Sequence, residues 1–160
     1  MKCTRCRAKA EVHLRAHNAG FCRPCYLGYF RRQVERAIAA DSMCTTDERL
    51  LVAVSGGKDS LALWDVLIDL GYQTTGLYLA QGIGGYSDRS REKVEAFASG
   101  RGLRLRVVEL SDEGPGLAIP DVAALTRRSA CAACGMLKRH FFDEAALAGE
   151  FDVLATGHNL

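Results

Sequence analysis

An uninterrupted apolar segment that ends in a glycine-rich turn restricts the possible folds of this chain more than any other feature. RLLVAVS (49–55) is apolar from Leu50 to Val54, as expected of a strand buried on both faces of a parallel sheet. The turn SGGKDS (55–60) follows, and an amphipathic helix is predicted from about Asp59 to Leu70. A buried strand that passes through a tight turn into a helix is the repeating unit of α/β folds.

Three further strands and two further helices are predicted by the same signals. The strands are TTGLYLA (74–80), LRLRVVEL (103–110) and the start of FDVLATGHNL (151–160). The helices run from a cap at Ser87 or Asp88 to about Ser99, with Gly100 as the stop, and from about Cys134 to Leu147. The alternation predicts an open parallel sheet with helices on both faces. Because the last strand should lead into another helix, we expect the sequence to be a fragment truncated at its C-terminal end.

A small module precedes this predicted domain. Residues 1–26 contain few apolar residues, whereas CRPCYLGYFRRQVERAIAA (22–40) has the apolar spacing of a helix. We therefore expect a four-cysteine module over residues 1–26, a linking helix and connector over 27–47, and an incomplete α/β domain over 48–160.

The charge is distributed unevenly between these parts. Residues 1–40 contain nine Lys or Arg and two Glu, a net charge of +7. Residues 41–160 contain twelve Lys or Arg and seventeen Asp or Glu, a net charge of −5. A basic leading module is typical of proteins that bind nucleic acid or another polyanion. A solvated, arginine-rich face explains the same charge equally well.

The four cysteines of the leading module have the spacing of a zinc site. They form two pairs separated by fifteen residues: Cys3, Cys6, Cys22 and Cys25. Each CxxC pair supplies two thiolates to one tetrahedral Zn2+. A site with four thiolates has no open coordination position, so its predicted role is structural. His13 and His17 lie between the pairs and are expected to be surface residues.

The turn after the first strand has the composition of an anion site. Its glycines allow backbone N–H groups to face an anion, and the N-terminus of the helix adds a partial positive charge. Lys58 and the two serines can donate hydrogen bonds to phosphate oxygens. The spacing GxxxxGK of the Walker A loop is absent. We therefore predict a phosphate-binding turn of another type.

SGGKDS resembles the pyrophosphate loop (PP-loop) of the N-type ATP pyrophosphatases, which split ATP between its α and β phosphates and adenylate an oxygen. The resemblance implies that the turn binds pyrophosphate and that Asp59 helps to hold Mg2+ on the phosphates. It also implies adenosine contacts near Ala53 and Leu79, and closure of the site by Gly157 in TGHN. The implied ATP-binding residues are Ala53, Ser55, Gly56, Gly57, Lys58, Asp59, Ser60, Leu79, Lys138 and Gly157.

Three further motifs, GIGGYSD (82–88), CAACGMLKR (131–139) and ATGHNL (155–160), resemble the tRNA 2-thiolation enzymes. The resemblance is greatest to the TtuA group, the tRNA-5-methyluridine 2-sulfurtransferases, and covers nearly all of the chain. It implies adenylation of the C2 oxygen of a uridine-type base in tRNA, then replacement of that oxygen by sulfur. The T-loop 5-methyluridine is the favoured target, and the wobble uridine is the alternative.

The same resemblance implies catalytic residues, a second metal group and protein partners. A [4Fe-4S] cluster would be held by three cysteines, of which Cys131 and Cys134 match the first two and the third lies beyond Leu160. Lys138 would contact the ATP phosphates or the adenylated base, and Asp59 would act at the same centre. A ubiquitin-like sulfur-carrier protein would supply the sulfur, the basic module would bind tRNA, and the enzyme would be a homodimer.

The residues alone leave other interpretations open. Cys131 and Cys134 are also compatible with half of a second structural zinc site, or with a dithiol that works through persulfide and disulfide chemistry. Lys138 is compatible with an ordinary exposed lysine. The chain as a whole is compatible with a PP-loop ATP pyrophosphatase that makes a product without sulfur, or with a non-catalytic module that binds zinc and nucleotide.

The cellular compartment is predicted from the hydropathy and the N-terminal sequence, and the roles of four remaining residues from their local context. No apolar run is long enough to span a bilayer, and MKCTRC is unlike a signal peptide. We therefore expect a cytoplasmic protein without a membrane partner, in which cysteines serve metals or catalysis. Cys44 is expected to be structural or incidental. His140 is expected to lie on a helix surface, His158 to act through backbone geometry, and Trp64 to lie in the core.

Overall fold

A computed structural model describes residues 1–81, 84–110 and 119–157 of the chain. The chain divides into two compact units, Met1–Cys44 and a second that begins at Thr45. None of the helices in the described residues is long and apolar enough to cross a membrane.

The first unit is a small hairpin followed by one long helix. Its elements are β1 (Val12–Leu14), a 3-10 turn (Arg15–His17), β2 (Ala19–Phe21) and α1 (Arg23–Ala40). The strands pair antiparallel, and Asn18 makes the bend between the 3-10 turn and β2 in the left-handed conformation. Strands of three residues are too short for an alternating pattern to predict them. The predicted helix is confirmed, and Pro24 in its first turn supplies the N-terminal backbone angle.

The second unit is a four-stranded parallel sheet with helices between the strands. The strands are β3 (Arg49–Ala53), β4 (Gln73–Ala80), β5 (Arg104–Glu109) and β6 (Val153–Thr156). The helices are α2 (Lys58–Asp69), α3 (Gly84–Arg101), α4 (Ile119–Thr126) and α5 (Ala130–Ala148). The strand order is β5-β4-β3-β6, and every pair is parallel. The predicted parallel sheet is confirmed.

Helices cover both faces of this sheet, as alternate side chains of the strands show. On one face Leu51 and Leu77 pack with Phe141 of α5. On the other face Trp64 of α2 lies against Gly76, with its Nε1 donating to Thr74 Oγ1 at 3.0 Å. Trp64 is fully buried, so its predicted place in the core is confirmed.

Three predicted helix boundaries were wrong. Helix α3 begins at Gly84, so Ser87 and Asp88 lie inside it, and the Ser87 carbonyl accepts a hydrogen bond from Tyr78 Oη at 2.8 Å. The helix passes through Gly100 and ends at Arg101. Gly102 follows with a φ of +63°, the left-handed conformation that commonly terminates a helix. Helix α5 begins four residues before the predicted start, because the Ser129 hydroxyl accepts from the Ala132 N–H and caps it. Helix α4 was not predicted at all.

The strand order places a crevice at one end of the sheet. The chain leaves β3 toward β4 on one side, whereas β6 joins the sheet on the other side of β3. In open α/β sheets, ligands bind at the carboxyl ends of two such adjacent strands. The carboxyl ends of β3 and β6 are where SGGKDS begins and where Gly157 lies.

Candidate active site and four-cysteine centre

The first unit brings its four cysteines together. Cys3 and Cys6 lie in the loop before β1, Cys22 precedes α1 as its N-cap, and Cys25 lies in its first turn. Their sulfur atoms all lie within 4.8 Å of one another. Cys3 and Cys22 are buried beside Phe21, which forms the small core of this unit.

The donor set fits a tetrahedral metal ion. Four thiolates at the Zn–S distance of about 2.3 Å lie about 3.8 Å apart in a tetrahedron, and the Cys6 and Cys22 sulfurs are 3.5 Å apart. A hydrogen bond from the Cys6 backbone N–H lowers the pKa of Cys3 to about 6, whereas the neighbouring Cys22 sulfur raises the pKa of Cys25 to about 12. Crowded sulfurs therefore resist full ionisation unless a cation compensates their charge.

Ser60 holds the turn after β3 in shape. Its hydroxyl accepts from the Ser55 N–H at 3.1 Å and donates to the Gly57 carbonyl at 3.1 Å. Ser60 is buried, so its hydroxyl is committed to the turn itself. The first N–H groups of α2 have no carbonyl acceptor within their own helix, as at any helix N-terminus, and they provide donors for an anion.

The glycine at position 56 is required by this turn. Its φ is +72°, and a Cβ at this position would lie 2.6 Å from the Ser90 carbonyl oxygen of α3. Both the left-handed backbone and the close approach to α3 exclude a side chain. The turn is therefore enclosed by α3 as well as by the sheet.

Lys58 and Asp59 lie on the exposed first turn of α2. The Lys58 Nζ is 2.6 Å from Asp59 Oδ1, and their side chains are 86% and 50% exposed. An ion pair this exposed contributes little to stability. Both side chains are accordingly free to exchange partners when a charged ligand approaches.

A small pocket lies at the crevice and gathers residues from β3, β4, α2, α5 and the end of β6. It encloses about 60 Å³, less than the roughly 300 Å³ or more of a pocket that holds a whole small ligand. Six of the ten residues predicted to bind ATP line it: Ala53, Ser55, Ser60, Leu79, Lys138 and Gly157. The other four, Gly56, Gly57, Lys58 and Asp59, belong to the adjoining turn and helix start.

Gly157 closes the crevice against α2. A Cβ at this position would lie 2.8 Å from Ser60 Cα and 2.9 Å from its backbone nitrogen. The end of β6 thus packs directly on the backbone of the helix that follows the glycine-rich turn. His158 and Asn159 of the predicted TGHN motif lie outside the described residues, as do Gly82 and Ile83 of GIGGYSD.

Helix α5 carries the cysteine pair, of which Cys134 contacts a residue of the same pocket. Cys131 is exposed in its first turn, and Cys134 is half-buried. The Cys134 thiol donates to Gln81 Oε1 at a sulfur–oxygen distance of 3.6 Å, and Lys138 lies one helical turn further along. In the part of the chain that the structure describes, no third ligand converges on this pair.

Three pocket residues were missed by the sequence analysis: Val54, Gln81 and Phe142. A signal existed only for Gln81, because a polar residue directly after a buried strand belongs to the carboxyl edge of the sheet. The three predicted surface histidines are confirmed: His13 and His17 are exposed, and His140 lies on the surface of α5 near Glu144. A larger cavity of about 420 Å³ lies at the amino ends of the strands and contains none of the predicted site residues.

Two protein-family models match the chain, one over the four-cysteine segment and one over the remainder. Residues 2–27 match the N-terminal LIM domain of the 2-thiouridine synthetase TtuA, and residues 28–160 match the PP-loop domain.

Curated relatives match over the whole chain. The tRNA-5-methyluridine(54) 2-sulfurtransferases of Thermus thermophilus and Pyrococcus horikoshii are 51% and 39% identical over 160 residues. The cytoplasmic tRNA 2-thiolation protein 1 of Aspergillus niger is 32% identical over 98% of the chain. The matched regions cover 50%, 51% and 48% of these relatives, so the chain spans about half the length of the curated relatives it matches.

A solved structure has the same fold. The U34-tRNA thiolase NcsA from Methanococcus maripaludis, determined with its [4Fe-4S] cluster, aligns with a TM-score of 0.84 at 24% identity. The alignment covers 99% of this chain and 54% of that one.

Proposed function

Because the chain belongs to the PP-loop domain family, we propose that the protein is an ATP-dependent tRNA 2-thiolation enzyme whose target is the 5-methyluridine of the T-loop. One observation carries this proposal: Lys138 and Gln81 line the pocket beside the glycine-rich turn, and Gln81 also contacts Cys134. The contact of Gln81 with Cys134 supports a common site for the glycine-rich turn and the cysteine pair. The names of the relatives, two of which specify 5-methyluridine, support both the reaction and the target.

In the proposed first step the uridine C2 oxygen attacks the α-phosphorus of ATP, and the bond to pyrophosphate breaks. The N–H groups at the start of α2 bind the departing phosphates, with Lys58 and Lys138 as cationic partners. Asp59 helps to hold Mg2+ on the same phosphates. Adenosine lies against the backbone near Ala53 and Leu79. The 60 Å³ of the pocket admits only part of ATP, so the remainder extends over the exposed first turn of α2.

In the proposed second step a sulfur nucleophile adds to C2, and AMP leaves with the original oxygen. Cys131 and Cys134 are two ligands of a [4Fe-4S] cluster, which when bound supplies an iron position open to sulfur. Their spacing of three residues places both thiols on one face of α5, within about 5–6 Å between Cβ atoms. Lys138 lies on the same side and stabilises negative charge as AMP departs.

The first unit supports the reaction through structure and binding. Cys3, Cys6, Cys22 and Cys25 hold Zn2+, whose binding folds a unit with little apolar core. The excess of basic residues in this unit attracts the tRNA phosphates. A ubiquitin-like sulfur-carrier protein as donor and a homodimeric assembly are part of the same proposal.

The test is an anaerobic reconstitution of the complete protein with tRNA, ATP and a sulfide source. Digested tRNA is analysed by mass spectrometry for 2-thio nucleosides, and the position is located in the RNase fragments. We expect sulfur in the T-loop fragment, together with AMP and pyrophosphate. Sulfur in the anticodon fragment would instead assign the wobble uridine, and AMP without any thionucleoside would indicate a PP-loop enzyme with another product.

The role of the cysteine pair is tested by Cys131→Ala, with Cys44→Ala as the matched control. We expect Cys131→Ala to lose iron, acid-labile sulfide and thiolation while it retains zinc and ATP binding. Cys44 lies outside both cysteine groups, so Cys44→Ala should retain all of them. Full thiolation by Cys131→Ala would contradict the cluster role, and loss of zinc instead of iron would indicate a second zinc site.

A further inference from the structure

The first unit has a groove that neither the four-cysteine centre nor the nucleotide pocket uses. One wall is the segment from the end of β1 through the 3-10 turn, and the other is the first half of α1. The residues that matter are His13, Arg15, His17, Tyr26, Tyr29 and Gln33. The groove has a volume of about 520 Å³, within the range of about 300–1,000 Å³ for pockets that hold a small organic group.

Tyr29 lines this groove and is held by three neighbours. Its ring stacks on buried Phe21 with centroids 5.1 Å apart and an interplanar angle of 24°. The His17 ring meets it edge-on at 6.5 Å, and Gln33 Nε2 donates to the Tyr29 hydroxyl at 2.8 Å. A half-buried aromatic ring fixed from three sides loses little side-chain entropy on binding, as expected of a stacking platform.

The charge of the groove selects the ligand. Arg15 is exposed in the 3-10 turn, and none of the lining residues is acidic. Residues 1–40 as a whole contain nine Lys or Arg and two Glu. Aromatic rings beside cations suit a planar base that is attached to a phosphate backbone.

We infer that this groove binds an unpaired nucleobase of the RNA substrate, stacked against Tyr29 and His17, with Arg15 on the adjacent phosphate. The inference rests on the proposed function for the presence of tRNA. A base in a duplex cannot enter the groove, whereas tRNA offers unstacked bases in its loops and at its 3′ end. His17, one of the two histidines between the cysteine pairs, thus has a role in RNA binding.

The test measures binding of the complete, metal-loaded protein to a labelled single-stranded RNA of about 12 nucleotides and to the same strand in a duplex. The variants are Tyr29→Ala, His17→Ala and Arg15→Ala, with Arg36→Ala as a matched control for lost charge, because Arg36 is exposed on α1 outside the groove. Zinc content and circular dichroism verify folding. His17→Ala and Arg15→Ala leave the Phe21 contact intact, so they test the groove even if Tyr29→Ala unfolds the unit.

We expect His17→Ala and Arg15→Ala to weaken single-strand binding about tenfold, with duplex binding and Arg36→Ala within about twofold of the parent protein. Equal effects on single strand and duplex, or equal effects of Arg15→Ala and Arg36→Ala, would overturn the inference. Dissociation of an oligomer by His17→Ala would also overturn it, since the groove would then be a protein interface. If all groove variants bind RNA unchanged and thiolate tRNA normally, the inference about the groove is refuted and the proposed function stands. If the groove binds RNA as expected but the parent protein does not thiolate tRNA, the proposed function alone is refuted.

Discussion

Substitution of Gly56 by alanine should destabilise the second unit and abolish nucleotide binding. The φ of +72° costs an L-residue about 1–2 kcal/mol. The new Cβ would also lie 2.6 Å from the Ser90 carbonyl oxygen and 3.1 Å from Ser90 Cα. These are backbone atoms that cannot rotate away, and relief of such an overlap costs about 1–3 kcal/mol. We therefore expect a total loss of about 2–5 kcal/mol in the free energy of unfolding.

Gly102→Ala is the matched control for this prediction. Gly102 has a φ of +63°, and no atom lies within 4 Å of a Cβ built there. Only the cost of the left-handed backbone applies here, so we expect the free energy of unfolding to fall by about 1–2 kcal/mol. Its position after α3, at the amino end of β5, is remote from the turn, so ATP binding should be unchanged.

The assays are urea denaturation of the two variants and titration calorimetry with ATP. The distinguishing result is the difference between the variants, about 1–3 kcal/mol, accompanied by loss of ATP binding in Gly56→Ala alone. Equal losses of stability would show that the turn can move away from α3, and the claim that α3 encloses the nucleotide loop would then be wrong. Retained ATP affinity in a folded Gly56→Ala protein would refute the assignment of this turn to phosphate binding.

Three further substitutions test other parts of the structure. Cys22→Ser should lose the proposed Zn2+ and unfold the first unit, because binding of such an ion contributes about 10–16 kcal/mol and the hydrophobic core of this unit is small. Cys44→Ser should retain zinc, and elemental analysis distinguishes the two. Lys138→Ala should lower kcat/KM for pyrophosphate release about a hundredfold, as loss of one charge-stabilising group does. Unchanged kinetics would contradict the proposed catalytic role of Lys138. Gly76→Ala should lower the free energy of unfolding by about 1–3 kcal/mol, because the new Cβ would lie 2.4 Å from Trp64 Cη2. Urea denaturation measures this loss, and the affinity for ATP should be unchanged.

The features that the sequence predicted correctly depend on short-range patterns. The buried strand at 49–53, the helix after it and the linking helix α1 follow from apolar spacing within a few residues. The four-cysteine cluster follows from two CxxC pairs, because each pair is short enough to hold two thiolates on one ion. The parallel sheet follows from the alternation of strands and helices.

The errors in the predicted helices arise where a tertiary contact or a short length overrides the local pattern. Helix α3 continues through Ser87 and Asp88 because tertiary packing places the Ser87 carbonyl against Tyr78 Oη. That contact outweighs the capping preference of two polar residues. Helix α4 was missed because it has only eight residues, too few to repeat an apolar pattern convincingly.

Only the tertiary structure decides which distant residues meet at the site. Strand order places β6 beside β3, so Gly157 packs on Ser60. It also sets α5 against the sheet, so that Cys134 reaches Gln81 across 53 residues of sequence. Residue types and local spacing determine the helices and strands and the four-cysteine cluster, because those depend on neighbours along the chain. The approach of the glycine-rich turn to the helix that carries the cysteine pair depends on which strands pair, and no local pattern encodes that choice.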